Sequence, residues 1–290
     1  MRFKVLEPSG LDEAVEILAD TDAHILAGGT DLLIKVKRGL LRPGTVLSLH
    51  KIAALYCLSY EVGKGLYIGA LVTHARVARS TIVREKFSAL AEACASVGSP
   101  QIRNLGTVVG NVANASPAAD TAPALLALGA EVIIRSVAGM RKVPLHSFFQ
   151  GPGRTALGRG DIIEGLMIPE PLPGTSSAYL KLGRRQALEI SICGVALAAR
   201  RVGEKWKEVK VALGAVAPIP LFAMEPAALL EGKEWTSNLL KQAGRSAAAL
   251  STPIDDQRAT AEYRREMVEV LVARCGGTLM QRVNGGNIDG

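Results

Sequence analysis

Two glycine-turned hairpins constrain this chain before any other feature. "YCLSYEVGKGLYIGAL" sets Gly63 and Gly65 between two short apolar runs, and "EVIIRSVAGMRKVPL" repeats the arrangement further on. Hairpins build antiparallel sheet, whereas a doubly wound parallel sheet demands regular strand–helix alternation. Helical stretches surround the hairpins without that alternation, and no strand–GxGxxG–helix unit is present, which argues against a Rossmann dinucleotide site. The expected class is α+β.

The opening segment reads as a strand, "FKVLEP", then the helix "SGLDEAVEILAD". Ser9 stands at its cap position, and Leu11, Ala14, Val15 and Leu18 fall at helical spacing. "HILAGG" is a strand entering a turn, "TDLLIKVKRG" a short helix capped by Thr30 or Asp31, and "GTVLSLH" a further strand. "THARVARS" and "REKFSALAEACASVG" read as two helices, the second ended by Gly98. Ser99–Asp120, "SPQIRNLGTVVGNVANASPAAD", lacks aromatics and clear periodicity and is expected to be irregular. Helix resumes at "DTAPALLALG", with Asp120 or Thr121 as cap and Pro123 in the first turn. "DIIEGLMIPEP" is a strand stopped by Pro169 and Pro171. Residues 169–177, "PEPLPGTSS", form the best linker candidate. Beyond them come three strand-like runs and helices near 224–232, Ser237–Leu250 and Arg258–Val283.

Composition narrows the function classes. At 290 residues and 48% hydrophobic content the chain can form one large domain or two smaller ones. The +7 net charge is dispersed, without the basic, aromatic-interleaved runs of a nucleic-acid binder. Cys57, Cys94, Cys193 and Cys275 are far apart and in apolar contexts, so buried free thiols are expected and no metal or iron–sulfur site is readable. Neither a leader's apolar segment nor a membrane-spanning run is apparent, which gives the expectation of a cytoplasmic protein without a membrane span.

Two glycine-containing loops hold the chemistry. "AGGTDLL", Ala27–Leu33, sits at a strand-to-helix junction. Paired glycines let backbone N–H groups approach an anion, and the helix start adds unpaired donors. A tight turn with a Thr/Asp cap is the plainer reading of this loop taken alone. "NLGTVVGNVANASPAAD" offers Gly106, Gly110, the Thr107 hydroxyl, the amides of Asn111 and Asn114, and Asp120. It reads either as ligand-binding or as an irregular loop satisfying its own backbone. Taken together, the two loops suit a diphosphate lying between them.

These segments, with "IGALVTH" and "YLKLGRRQALEISICGVALAA", follow the order seen in one family. The whole chain resembles the FAD-binding medium subunit of the molybdenum hydroxylases, the xanthine dehydrogenase and carbon monoxide dehydrogenase type. The resemblance implies a two-part FAD domain of the vanillyl-alcohol-oxidase type over residues 1–172, split near 55, and a smaller α+β domain over 173–290. It implies non-covalent FAD, with Ala27, Gly28, Gly29, Thr30, Asp31 and Leu32 around the pyrophosphate and Thr107, Gly110 and Asn111 on its other side. Asp120 matches a contact to the ribityl or ribose part, and Ile163 an aliphatic neighbour of the adenine or flavin ring. Lys181 matches a lysine at the isoalloxazine carbonyl edge, where a cation favours the reduced, anionic ring. Ile102 completes the cofactor-binding set. The resemblance implies no catalytic and no metal-ligating residue on this chain. It places [2Fe-2S] clusters on a small partner and molybdopterin on a large one, with an acceptor such as NAD or a quinone.

Departures from the family pattern are few. Val109 stands where a glycine is usual, and valine resists positive φ, so a local change of loop path is expected. Val97 replaces an aromatic found in some relatives, and Glu189 an aspartate. The cysteine-rich insertion of one branch is missing. His24 and His74 read as structural. The competing readings are a self-contained flavin oxidoreductase of the same superfold and a nucleic-acid-binding module.

Overall fold

A computed structural model describes residues 3–185 and 188–283; the last seven residues of the expected C-terminal domain lie outside them. The first sheet is parallel, in the order β1 (Lys4–Leu6), β3 (Thr45–Ser48), β2 (His24–Leu26). It carries α1 (Leu11–Asp20) and α2 (Leu32–Lys37) in its connections. The second sheet is antiparallel and uses both expected hairpins: β4 (Leu58–Glu61), β5 (Gly65–Gly69), β10 (Ile162–Ile168), β6 (Glu131–Ser136), β7 (Gly139–Pro144). Between β5 and β6 lie α3 (His74–Arg79), α4 (Thr81–Lys86), α5 (Ser88–Ser96), α6 (Pro100–Leu105), α7 (Val108–Ala113) and α8 (Thr121–Ala127). A small ribbon, β8 (Phe149–Gly151) with β9 (Arg154–Thr155), precedes β10.

The third sheet is an antiparallel meander, β11 (Thr175–Leu182), β12 (Cys193–Val202), β13 (Lys205–Gly214), β14 (Leu221–Phe222). α9 (Met224–Leu230), α10 (Ser237–Leu250) and α11 (Ala261–Val283) follow it. Strand side chains alternate between faces, so β12 divides cleanly. Val195, Leu197 and Ala199 enter a core with Leu240, Ala243, Val268 and Val272 from α10 and α11. Ala196 and Ala198 join the opposite core, which contains Leu90 of α5 and Leu125 of α8. Both faces are therefore covered, and the run Cys193–Ala199 is buried throughout. Small alanines on one face let α5 and α8 lie close to the strands.

Several local expectations are corrected. Gly10, not Ser9, occupies the α1 N-cap, and Ser9 instead donates its N–H and hydroxyl to Glu13. The helix expected across residues 84–98 breaks at Phe87, whose φ of −132° leaves helical space while its ring is fully buried. Burial of that ring outweighs continuity of the helix. Ser99–Asp120 is not irregular throughout but contains two six-residue helices. Ser99 and Thr107 cap them, accepting from the N–H groups of Ile102 and Gly110. The linker is shorter than expected, because Thr175, Ser176 and Ser177 already belong to β11. The Ser177 hydroxyl accepts from Ala89 N–H, which ties the strand start to α5. Cys94, Cys193 and Cys275 are buried, but Cys57 is exposed.

Candidate functional site

The two loops face each other across a cavity of about 860 Å³ between the first two sheets. That volume suits a small molecule or cofactor. Ala27, Gly28, Gly29, Thr30, Asp31 and Leu32 line one side. Thr107, Gly110 and Asn111 line the other, with Ile102, Val97 and Val109 between, and Ile163 closes the floor from β10.

Local geometry explains the glycines. A side chain at Gly28 would stand 2.0 Å from the Leu105 carbonyl oxygen, so the first loop can touch the end of α6 only as bare backbone. Gly29 has φ +70°, a left-handed conformation that glycine adopts without strain. The turn leaves the N–H groups of Gly28, Gly29, Thr30, Asp31 and Leu32 without an acceptor among the described residues. Val109 N–H, in the first turn of α7, is likewise unpaired. A run of convergent, unpaired amides at a helix start is an anion-binding arrangement. Lys35, one turn along α2, adds a cation: its Nζ lies 2.7 Å from Asp31 and 3.3 Å from Asn114 Oδ1. It thereby joins the two loops. The i,i+4 spacing of Asp31 and Lys35 is the sequence signal for this pair.

The second loop is held from behind. His74 N–H donates to Gly106 O, Val108 N–H donates to Val72 O, and Thr73 pairs with Thr107 as a β-bridge. Thr107 Oγ1 accepts from Gly110 N–H at 2.9 Å, which leaves its hydroxyl proton free to donate. Asn111 Oδ1 accepts from the Thr121 hydroxyl, which fixes the amide so that its NH₂ group is available. Val109 sits inside α7 with no positive φ, so the valine is accommodated there without left-handed backbone strain.

Asp120 and Lys181 come together, but apart from the glycine loops. They form an ion pair of 2.8 Å, with side chains only 9% and 12% exposed. Asp120 also accepts from Tyr179 OH at 3.3 Å and from the Ser191 hydroxyl, so its carboxylate is turned away from the α8 cap it was expected to supply. Lys181 Nζ donates to Ser96 O at 3.1 Å and Glu189 O at 3.0 Å, which engages its three protons within the protein. Asp120, but not Lys181, borders an adjoining recess of about 280 Å³, lined also by Gly98, Leu188, Glu189 and Ile190. Ser116, Ala118 and Ile190 are common to recess and main cavity. The connection between β11 and β12 thus brings Leu188, Glu189 and Ile190 to one end of the cleft. Burial, and next the Asp120 charge, push the Tyr179 phenol well up, so it stays a hydrogen-bond donor.

An antiparallel sheet beside a small parallel one, with an amide-lined cleft and an aliphatic floor between them, is an architecture suited to a dinucleotide cofactor. The chain belongs to the family described as the FAD-binding domain in molybdopterin dehydrogenase, whose model matches residues 1–171. Residues 178–279 match the CO dehydrogenase flavoprotein C-terminal domain. The chain is 32% identical to the glyceraldehyde dehydrogenase medium chain of Sulfolobus acidocaldarius, over 94% of this chain and 96% of that protein. It is 31% identical to the carbon monoxide dehydrogenase medium chain of Hydrogenophaga pseudoflava, over 94% and 95%. A solved structure of carbon monoxide dehydrogenase from that organism, lacking the Mo-pyranopterin moiety of the molybdenum cofactor, superimposes with a TM-score of 0.93 at 31% identity, covering 97% of this chain and 98% of that one. These homologues are dehydrogenase subunits that act within complexes.

Proposed function

We propose that this chain is the FAD-bearing electron-transfer subunit of a multi-subunit molybdenum-containing dehydrogenase. It would accept electrons from [2Fe-2S] clusters of a small partner and pass them to an acceptor such as NAD or a quinone. Substrate oxidation would occur at molybdopterin on a large partner. The observation that carries this reading is the run of unpaired amides from Gly28 to Leu32 facing Thr107–Asn111 across the cavity. Those amides and Ala27 suit one side of a diphosphate, with Thr107, Gly110 and Asn111 on the other. Ile102 and Ile163 supply flat aliphatic contact for ring systems. Asp120, held by Lys181 from behind, would face a polar ring edge or ribityl chain from the adjoining recess. Bound FAD would supply the redox couple itself, while the protein sets position and electrostatics.

The division of labour is supported by the cysteines, which lie in four separate elements or turns. Among the described residues no group of three or more His, Cys, Asp or Glu converges to hold a metal ion. No helix of the described residues is long and apolar enough to cross a membrane. Four free thiols fit the reducing cytoplasm. Within this reading, residues 1–172 form the FAD domain and 173–290 the C-terminal domain. Protein purified alone is expected to be yellow and to release FAD on denaturation. Colourless protein that takes up no added FAD would refute the proposal, and turnover of a substrate without partners would favour a self-contained oxidoreductase.

A further inference from the structure

His74 begins α3, directly behind the second loop, with Thr73 as the cap. Its ring is 2% exposed and forms part of the cavity wall. Gly106 is the shared neighbour: a Cβ built there would lie 3.3 Å from Thr30 Oγ1 and 3.4 Å from His74 Cδ2. The imidazole, the Thr30 hydroxyl and the bare Gly106 backbone therefore meet at one point of the cradle. His74 Nδ1 is sealed off and has no partner, while Nε2, bonded to the Cδ2 that faces Gly106, makes no hydrogen bond among the described residues. A buried polar side chain of this kind costs free energy unless something completes it.

Burial, with repulsion from Arg103 second, brings the imidazole down to about 4. At neutral pH the ring is uncharged and offers one N–H and one lone pair. Arg103 itself is directed to Val97 O at 3.0 Å. A diphosphate is rich in acceptors and carries no strong donor, so the ring's N–H is the group that it can satisfy. We infer that His74 is a further cofactor-binding residue, whose imidazole donates its Nε2–H to the diphosphate held between Gly28–Leu32 and Gly106–Gly110. This rests on the proposed FAD site, which it deepens with a side-chain donor that neither loop motif contains.

The test is binding of FAD, and separately of ADP, to the full chain by fluorescence and calorimetry, for wild type, His74→Phe and His74→Gln. His74→Phe is expected to weaken both ligands about tenfold or more, and His74→Gln, which keeps a donor, to recover most of the loss. A His74→Phe protein that binds FAD within twofold of wild type overturns the inference while leaving the FAD reading intact. Wild type that binds no FAD defeats that reading instead. Should His74→Phe fail to fold, ¹⁵N signals of the His74 ring in the wild-type chain decide the matter. A shift on adding ADP supports the contact, and an unmoved ring overturns it.

Discussion

Replacing Gly28 by alanine adds one methyl group where the two cofactor loops touch. The new Cβ would stand 2.0 Å from Leu105 O, 2.8 Å from Leu105 C and 2.9 Å from Gly106 Cα. All three are backbone atoms, so no side chain can swing aside. Ordinary contact begins at 3.4 Å, and the loops must therefore part by about 1.4 Å. Such overpacking costs roughly 1–3 kcal/mol of stability, modest for a core of this size. The cofactor should feel a comparable effect, because the same movement takes the amides of Gly28–Leu32 out of register with Thr107 and Gly110. Losing one hydrogen bond to a charged acceptor costs about 1.5–3 kcal/mol, so FAD affinity should fall roughly 10- to 100-fold. Gly44→Ala is the control, since a Cβ there meets nothing within 4 Å. Fluorescence titration of FAD alongside thermal unfolding separates the two effects. If Gly28→Ala bound FAD like Gly44→Ala, the cradle geometry would not be the source of affinity.

Three further outcomes are expected. Asp120→Ala leaves the buried Lys181 ammonium without its carboxylate and should destabilise the protein by roughly 3–5 kcal/mol, measured by urea unfolding. His74 is held near 4 when folded against 6.5 unfolded, so below pH 6.5 the unfolded chain binds the extra proton. Its contribution is intact above pH 6.5 and is lost progressively as pH falls toward 4, on the order of 3 kcal/mol in all. The wild-type melting temperature should drop over that range and His74→Phe should flatten the drop; an identical acid profile would refute this. Burial pushes the Cys193 thiol up to about 12 and raises Cys94 and Cys275 further, whereas Cys57 is exposed. Iodoacetamide should label one thiol in the native chain and four after denaturation, counted by mass spectrometry.

How much of this was legible beforehand depends on the range of the interaction. Hairpins at Gly63–Gly65 and around Gly139 were readable because turn chemistry is local. The glycine loops were readable for the same reason, and they do face one cavity. What escaped were features decided by distant contacts. Phe87 breaks a helix because its ring has a core to enter. Asp120 leaves its cap for Lys181 on a strand that lies far along the chain. His74 sits in a stretch that reads as an ordinary helix start, and only packing against Gly106 reveals that its ring has no partner. Val109 was expected to strain a loop that proves to be helical, because the caps at Ser99 and Thr107 organise a segment whose composition alone discourages helix.

The third sheet is covered on both faces, and its ties reach across the chain. Arg282, near the end of α11, bonds to Glu92 and Ser88 on α5 and to the Ser177 carbonyl of β11. Glu92 in turn accepts from Tyr179 N–H at 2.7 Å. The last described helix is therefore fastened to one formed from residues 88–96. During synthesis, α5 emerges long before the strands that cover it, and its alanine-rich face must wait for them. A recombinant hybrid that joins the first half of one relative to the second half of another inherits this joint as a seam. It will hold only if the second parent's β11 and its residue at the position of Arg282 fit the first parent's α5.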